Sequence, residues 1–198
     1  MNHLAHCFLA GTDPELVVGG LLGDFWRGAL DPAWTPRLAQ GVRLHRQVDS
    51  WIDAHPVTRR ARQRFEPPFR RYAGVLLDVW FDHLLARDFG RWSADETLRA
   101  FADRCQGVLL QAVSSPAAAG WPPAFAVYVH RLARHDGLVA YAQAAHAEAV
   151  LEHFGTRLRR ANPLAIALPV LESLEAPLQR DFEELMPGLM AYARAQSA

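Results

Sequence analysis

The sequence predicts an all-α protein, folded as one compact helical bundle. Three observations carry that prediction. Alternating runs rich in β-branched residues, the mark of a half-buried strand, are missing. Prolines at 14, 36, 56, 163 and 177 stand near the starts of apolar-periodic stretches, where an absent N–H costs little. Gly and Pro divide the remainder into pieces of helical length, with no internal repeat and no low-complexity linker. In chain order, helices are expected over roughly 2–10, 14–28, 35–54, 56–65, 70–89, 94–113, 122–134, 138–160, 164–174 and 176–195. Pro14, Pro36 and Pro56 open the second to fourth. The apolar run from Val75 to Leu85 forms the body of the fifth. Ser93 followed by Glu96 is a capping-box signature for the sixth. Ser114–Gly120 and Asn162–Pro163 read as loops, and Gly137 separates the seventh helix from the Ala-rich eighth.

A chain of 198 residues fits one domain, 1–198, with enough length to bury a core. Its apolar share of 51% argues against intrinsic disorder. No apolar run approaches the ~20 residues of a membrane span. The start, Met1 to Ala10, carries no Lys or Arg and does not read as a secretory signal. Cys7 and Cys105 form no C-x-x-C pair. They are expected to be free buried thiols, so the compartment is reducing and the protein cytoplasmic. The formal net charge of zero speaks against general nucleic-acid binding. All 21 basic residues are Arg. A genome rich in G and C would explain that without function, but Arg also grips phosphate and carboxylate bidentately where Lys cannot.

The chemistry is expected in the first half of the chain. His3 and His6 are three apart on one helix face. Asp24 follows in Leu21-Leu22-Gly23-Asp24-Phe25. His45 and Asp49 are four apart, so they face the same way, with Asp53 one further turn on. Asp78 and Asp82 repeat the spacing, and His83 adjoins. From Val75 to Leu85, eight of eleven residues are large and apolar, so this helix should be buried. Two carboxylates inside it would be costly unless paired with Arg or bound to a cation. His, Asp and water are a ligand set for Mn, Fe, Mg or Zn at a hydrolytic centre.

Other signals carry less. Gly137 follows His135-Asp136 at once, so that pair is expected at a helix end rather than at a metal. His146 and His153 are expected to face solvent. Gly19, Gly20 and Gly23 precede no βαβ pattern and are expected to permit close helix packing or close approach of a phosphate. Ser114 and Ser115 have no nucleophile-elbow context. The six Trp residues are expected mostly in the core.

Read together, five segments form an ordered series: Met1 to His6, Gly20 to Gly28, Gly41 to Asp49, Asp53-Ala54-His55-Pro56, and Asp78 to His83. The series resembles the acyl carrier protein phosphodiesterases, a family similar to the HD-domain metal phosphohydrolases. The resemblance is specific over residues 1–92. It implies an HD-like helical fold and Mn²⁺-dependent hydrolysis of holo acyl carrier protein to the apo protein and 4′-phosphopantetheine. HD proteins carry His-Asp at their metal helix. Here Asp24 keeps the Asp, and Gly23 stands where the His would be. Position 3, usually aromatic in the family, is His here, and position 20, commonly Asn, is Gly. His6, Asp24, His45 and Asp82 or His83 are the expected metal ligands. Asp49 or Asp78 is expected to take the water's proton or to orient a ligand. Arg27 and Arg46 are the expected phosphate clamp. Six arginines between 59 and 71, with Glu66 the sole acid among them, are expected to steer the carrier protein, Arg59 and Arg62 above all. Two other readings stay open: a phosphohydrolase acting on a nucleotide or other small phosphate ester, and a non-enzymatic helical binding domain.

Overall fold

A computed structural model describes residues 2–198. These form eleven α-helices, four short 3₁₀ turns and no strand. The helices are α1 (His3–Leu9), α2 (Pro14–Leu22), α3 (Pro36–Ala54), α4 (Pro56–Gln63), α5 (Ala73–Arg87), α6 (Leu98–Val113), α7 (Pro123–Arg134), α8 (Gly137–Ala140), α9 (Ala144–Thr156), α10 (Leu168–Ser173) and α11 (Glu175–Ser197). The all-α bundle read from the sequence is therefore what forms. No helix among the described residues is long and apolar enough to cross a membrane.

Three of the five prolines open helices under a side-chain cap. Asp13 accepts from Glu15 N and Leu16 N ahead of Pro14, and Thr35 accepts from Leu38 N ahead of Pro36. His55 Nδ1 accepts from Val57 N ahead of Pro56. Each cap satisfies an amide that the helix cannot. Pro163 instead precedes a 3₁₀ turn at Leu164–Ile166, and Pro177 sits within the first turn of α11.

Several boundaries differ from expectation. The second helix stops at Leu22 rather than 28, because residues 23–35 form a loop that turns at Gly28 with φ +88°. The predicted helix 138–160 is two helices, α8 and α9. The sixth helix is capped by Thr97, whose hydroxyl accepts from Ala100 N. Ser93 is not the cap, and Glu96 pairs with Arg104 at 2.6 Å instead.

Helix α5 lies at the centre, packed against α1, α4, α9 and α11. Leu76, Leu77, Val79, Trp80, Phe81, Leu84 and Leu85 are all buried along it, as an apolar circumference requires. Cys7 and Cys105 are free and buried. Helices α2 and α3 meet nearly backbone to backbone. A Cβ at Gly19 would lie 2.5 Å from Leu38 O, and one at Gly41 would lie 2.8 Å from Leu16 O. Neither position has room for a side chain, so Gly19 serves helix packing. This contact brings the middle of α3 beside the C-terminus of α2.

Candidate metal centre

The centre is built from α1, α3 and the turn after α2. Asp82 holds α1 in place. Its carboxylate, fully buried on α5, accepts from Asn2 N at 3.2 Å, Leu4 N at 2.8 Å and Ala5 N at 3.2 Å. These are orphan amides of a helix start, where a carboxylate is favoured. Burial nevertheless pushes the Asp82 carboxyl up to about 7, against the pull of the Leu4 and Asn2 amides.

So fixed, α1 aims His6 at α3. His6 Nε2 lies 3.2 Å from Asp49 Oδ1, and His45 Nε2 lies 3.3 Å from Asp49 Oδ2. The two rings sit 4.0 Å apart, centre to centre. His45 and Asp49 face the same way because they are one helical turn apart. Asp24, on the turn after Leu22, has one oxygen 3.7 Å from His45 Nε2 and the other 3.4 Å from His3 Nε2. Both His6 and His45 are buried, whereas the side chains of Asp24 and Asp49 are 39% and 43% exposed. Imidazoles thus form the floor and carboxylates the mouth.

Gly23 makes room for this arrangement. A Cβ there would meet His45 Cγ at 2.4 Å and Cδ2 at 2.5 Å. The imidazole of His45 occupies the volume that any side chain at position 23 would need. A histidine at 23 and the observed His45 are mutually exclusive.

Burial lowers the pKa of His45 to about 4, assisted by its neighbour His6 and opposed by Asp24 and Asp49. It is therefore neutral at physiological pH, with an imidazole lone pair to offer. His3 is lowered to about 4 as well, again mainly by burial. For Asp49, burial acts upward, but the His6 hydrogen bond and the two imidazoles outweigh it and take the carboxyl below its usual value. His6, His45 and Asp49 offer ligand atoms that all lie within 4.8 Å of one another. Two imidazole nitrogens and a carboxylate are a donor set for a divalent transition ion, so these residues fit a metal.

The comparisons bear on what such a centre serves. The family model for acyl carrier protein phosphodiesterase matches residues 1–189. The chain belongs to this family. Among similar proteins, one named acyl carrier protein phosphodiesterase from Pectobacterium atrosepticum is 31% identical over 196 residues, covering 99% of both chains. One of the same name from Escherichia coli is 31% identical, covering 98% of this chain and 97% of its own. A third, from Yersinia enterocolitica, is 30% identical over 98% of each. No solved structure matches.

The structure sorts the remaining expectations. Asp82 and His83 are not brought to the His6–His45–Asp49 group. Asp82 is spent on the amides of α1. His83 Nδ1 donates to the Tyr141 carbonyl at 2.8 Å, and its ring lies against Trp80. Asp49, expected to act on the proton or on a ligand, stands among the donors. Asp78 lines a cleft of about 270 Å³ together with Asn2, Asp24, Asp49, Asp53 and Phe154. Arg46 donates to Trp26 O at 3.0 Å, so it braces the loop that carries Asp24 rather than reaching into the cleft. Arg27 is exposed on that same loop.

The arginine cluster divides. Arg60 and Arg64 converge on Asp181, buried on α11, at 2.8 and 2.6 Å. They tie α4 to α11. Arg62 pairs with Asp53 and, with Arg70 and Arg71, lines a second cleft of about 360 Å³. Arg59 is exposed. Among the discounted signals, Asp136 takes a left-handed conformation (φ 49°) between α7 and α8 and pairs with Arg99, as befits a helix end. His153 is exposed, but His146 is half-buried, edge-on to Tyr141. It packs rather than facing water, a contact that lies outside its own helix.

Proposed function

We propose that this chain is a metal-dependent phosphodiesterase that removes 4′-phosphopantetheine from holo acyl carrier protein, leaving the apo protein. One observation supports the metal part: two buried imidazoles and a carboxylate converge in a family named for phosphodiester hydrolysis. His6, His45 and Asp49 hold the ion, with Asp24 at the mouth as a further oxygen donor. The mixed nitrogen and oxygen set suits Mn²⁺, Fe²⁺ or Zn²⁺, and Mn²⁺ is our choice from the family resemblance. A divalent ion there supplies Lewis-acid charge and lowers the pKa of water from ~15.7 toward ~7.

The chain's own groups do the rest. Burial keeps His45 neutral, so it needs no deprotonation before it binds an ion. Asp24, whose two oxygens lie 3.4 Å from His3 Nε2 and 3.7 Å from His45 Nε2, adds carboxylate charge at the mouth. Asp78, which lines the same cleft as Asp49, takes the proton of the attacking water. Arg27, on the loop braced by Arg46, reaches a non-bridging phosphate oxygen. Arg59 and Arg62 face the protein that carries the phosphodiester.

The test is incubation with holo acyl carrier protein and Mn²⁺, followed by mass spectrometry. The carrier should lose the mass of its phosphopantetheine, and His45→Ala should abolish that loss. An intact carrier after prolonged incubation would refute the substrate. Hydrolysis that persists after chelation would refute the metal.

A further inference from the structure

Asp24 is the least secured member of the centre. It follows Gly23, the C-cap of α2, where the negative end of a helix dipole gives a carboxylate no support. Its side chain is partly exposed. Among the described residues its carboxylate has two charge partners, His45 Nε2 at 3.7 Å from Oδ1 and His3 Nε2 at 3.4 Å from Oδ2. His45 cannot keep that partnership in a loaded centre. An imidazole nitrogen that gives its lone pair to an ion has no hydrogen left to donate. With His45 Nε2 engaged in that way, His3 is the group that remains to hold Asp24.

His3 is itself held from two sides. The amides of α1 are fixed by Asp82 on α5. The His3 ring packs on Tyr128 of α7, with centroids 4.5 Å apart. Tyr128 also meets Phe25, at 5.4 Å, and Phe25 directly follows Asp24. One side chain from the second half of the chain thus touches both His3 and the turn that carries its carboxylate partner. A carboxylate only accepts, so it selects the form of His3 with a hydrogen on Nε2.

We propose that His3 is a positioning residue of the metal centre: its Nε2–H holds Asp24 Oδ2 and keeps Oδ1 turned toward His45. This rests on the metal reading above. His3 acts through Asp24 and does not touch the ion. Partners of this kind tune how tightly a centre holds its metal.

The test is a double-mutant cycle, read by calorimetric Mn²⁺ titration of the full chain without substrate. His3→Phe keeps a ring against Tyr128 and removes both nitrogens. It should weaken Mn²⁺ binding by about ten-fold, the lower end of the effect of such partners. His3→Met, a second replacement without an N–H, should do the same. His3→Gln, whose amide reaches about as far as Nε2, should recover most of the loss. In Asp24→Ala protein, His3→Phe should change the affinity by less than about two-fold, because the two residues act as one unit. Wild-type affinity in His3→Phe and His3→Met would overturn the assignment. So would a loss of the same size in the absence of Asp24, which would make His3 a ligand or a scaffold residue. A Gln variant as weak as the Phe variant would overturn it too. Wild-type protein that binds no Mn²⁺ would overturn the metal reading, and this assignment with it, whereas the pattern among the variants judges His3 alone.

Discussion

Gly23→Ala is the smallest change that interrogates the centre. The added Cβ would stand 2.4 Å from His45 Cγ, 2.5 Å from Cδ2 and 2.8 Å from Cβ. Carbon atoms rest at ~3.5–4.0 Å, so the imidazole must retreat by about 1 Å. It has little room, being buried with the His6 ring 4.0 Å away. Overpacking of this kind costs about 1–3 kcal/mol. The backbone at position 23 is already right-handed helical, φ −53° and ψ −33°, so Ala recovers roughly 0.5–1 kcal/mol over Gly. Net stability should fall by no more than about 2.5 kcal/mol. Function should suffer far more. A misplacement of 1 Å costs about 100-fold in rate, and loss of a ligand's setting costs about 10–100-fold in metal affinity. The assay pairs Mn²⁺ titration and turnover with thermal unfolding. Gly107→Ala is the control, since nothing lies within 4 Å of a Cβ there. It should gain a little stability and leave turnover alone. Wild-type Mn²⁺ affinity and turnover in Gly23→Ala would refute the placement of His45 in the centre.

Three further outcomes are expected. Asp82→Asn should lower the melting temperature while leaving one Mn²⁺ bound per chain, because Asp82 supports α1 and is no ligand; a loss of stoichiometry in folded protein would contradict this. The same variant tests the sign of its titration. The folded pKa, about 7, lies above the ordinary value of 3.8, so protonation favours the folded state. That contribution is complete below pH ~4 and is lost as pH rises through ~7. The stability of wild type relative to Asp82→Asn should therefore decline between those limits by urea melts, and a rise would refute it. Reversing Arg59 and Arg62 to Glu should raise KM for holo carrier protein and flatten its dependence on salt, since such steering is screened over ~8–10 Å. An unaltered salt profile would remove these arginines from docking.

Much of the fold was legible where a local rule decides it. Pro14, Pro36 and Pro56 open helices because the residue before each caps the first turn. The apolar surround of Asp78–His83 correctly announced a buried helix. Legibility ended where a side chain's partner comes from a distant segment. Asp82 and His83 carry the spacing and chemistry of ligands. Only the packing of α1 and of the Tyr141 segment against α5 shows that their polar atoms are already engaged. His45 and Asp49 were readable as a pair from their four-residue spacing. That His6 completes them depends on Asp82 anchoring α1 from α5, and that Gly23 clears the space for His45 depends on the close crossing of α2 and α3 at Gly19 and Gly41. The arginine run looked uniform in sequence, yet Asp181, more than a hundred positions away, withdraws Arg60 and Arg64 into the scaffold.

The proposed hydrolysis requires a metal held by His6, His45 and Asp49. The direct measurement is anomalous diffraction from crystals soaked in Mn²⁺. A peak within about 2.0–2.3 Å of His6 Nε2, His45 Nε2 and an Asp49 oxygen, the range of transition-metal ligand bonds, is the predicted result. A peak at Asp82 and His83, or none at the His6–His45–Asp49 group in active protein, would contradict it.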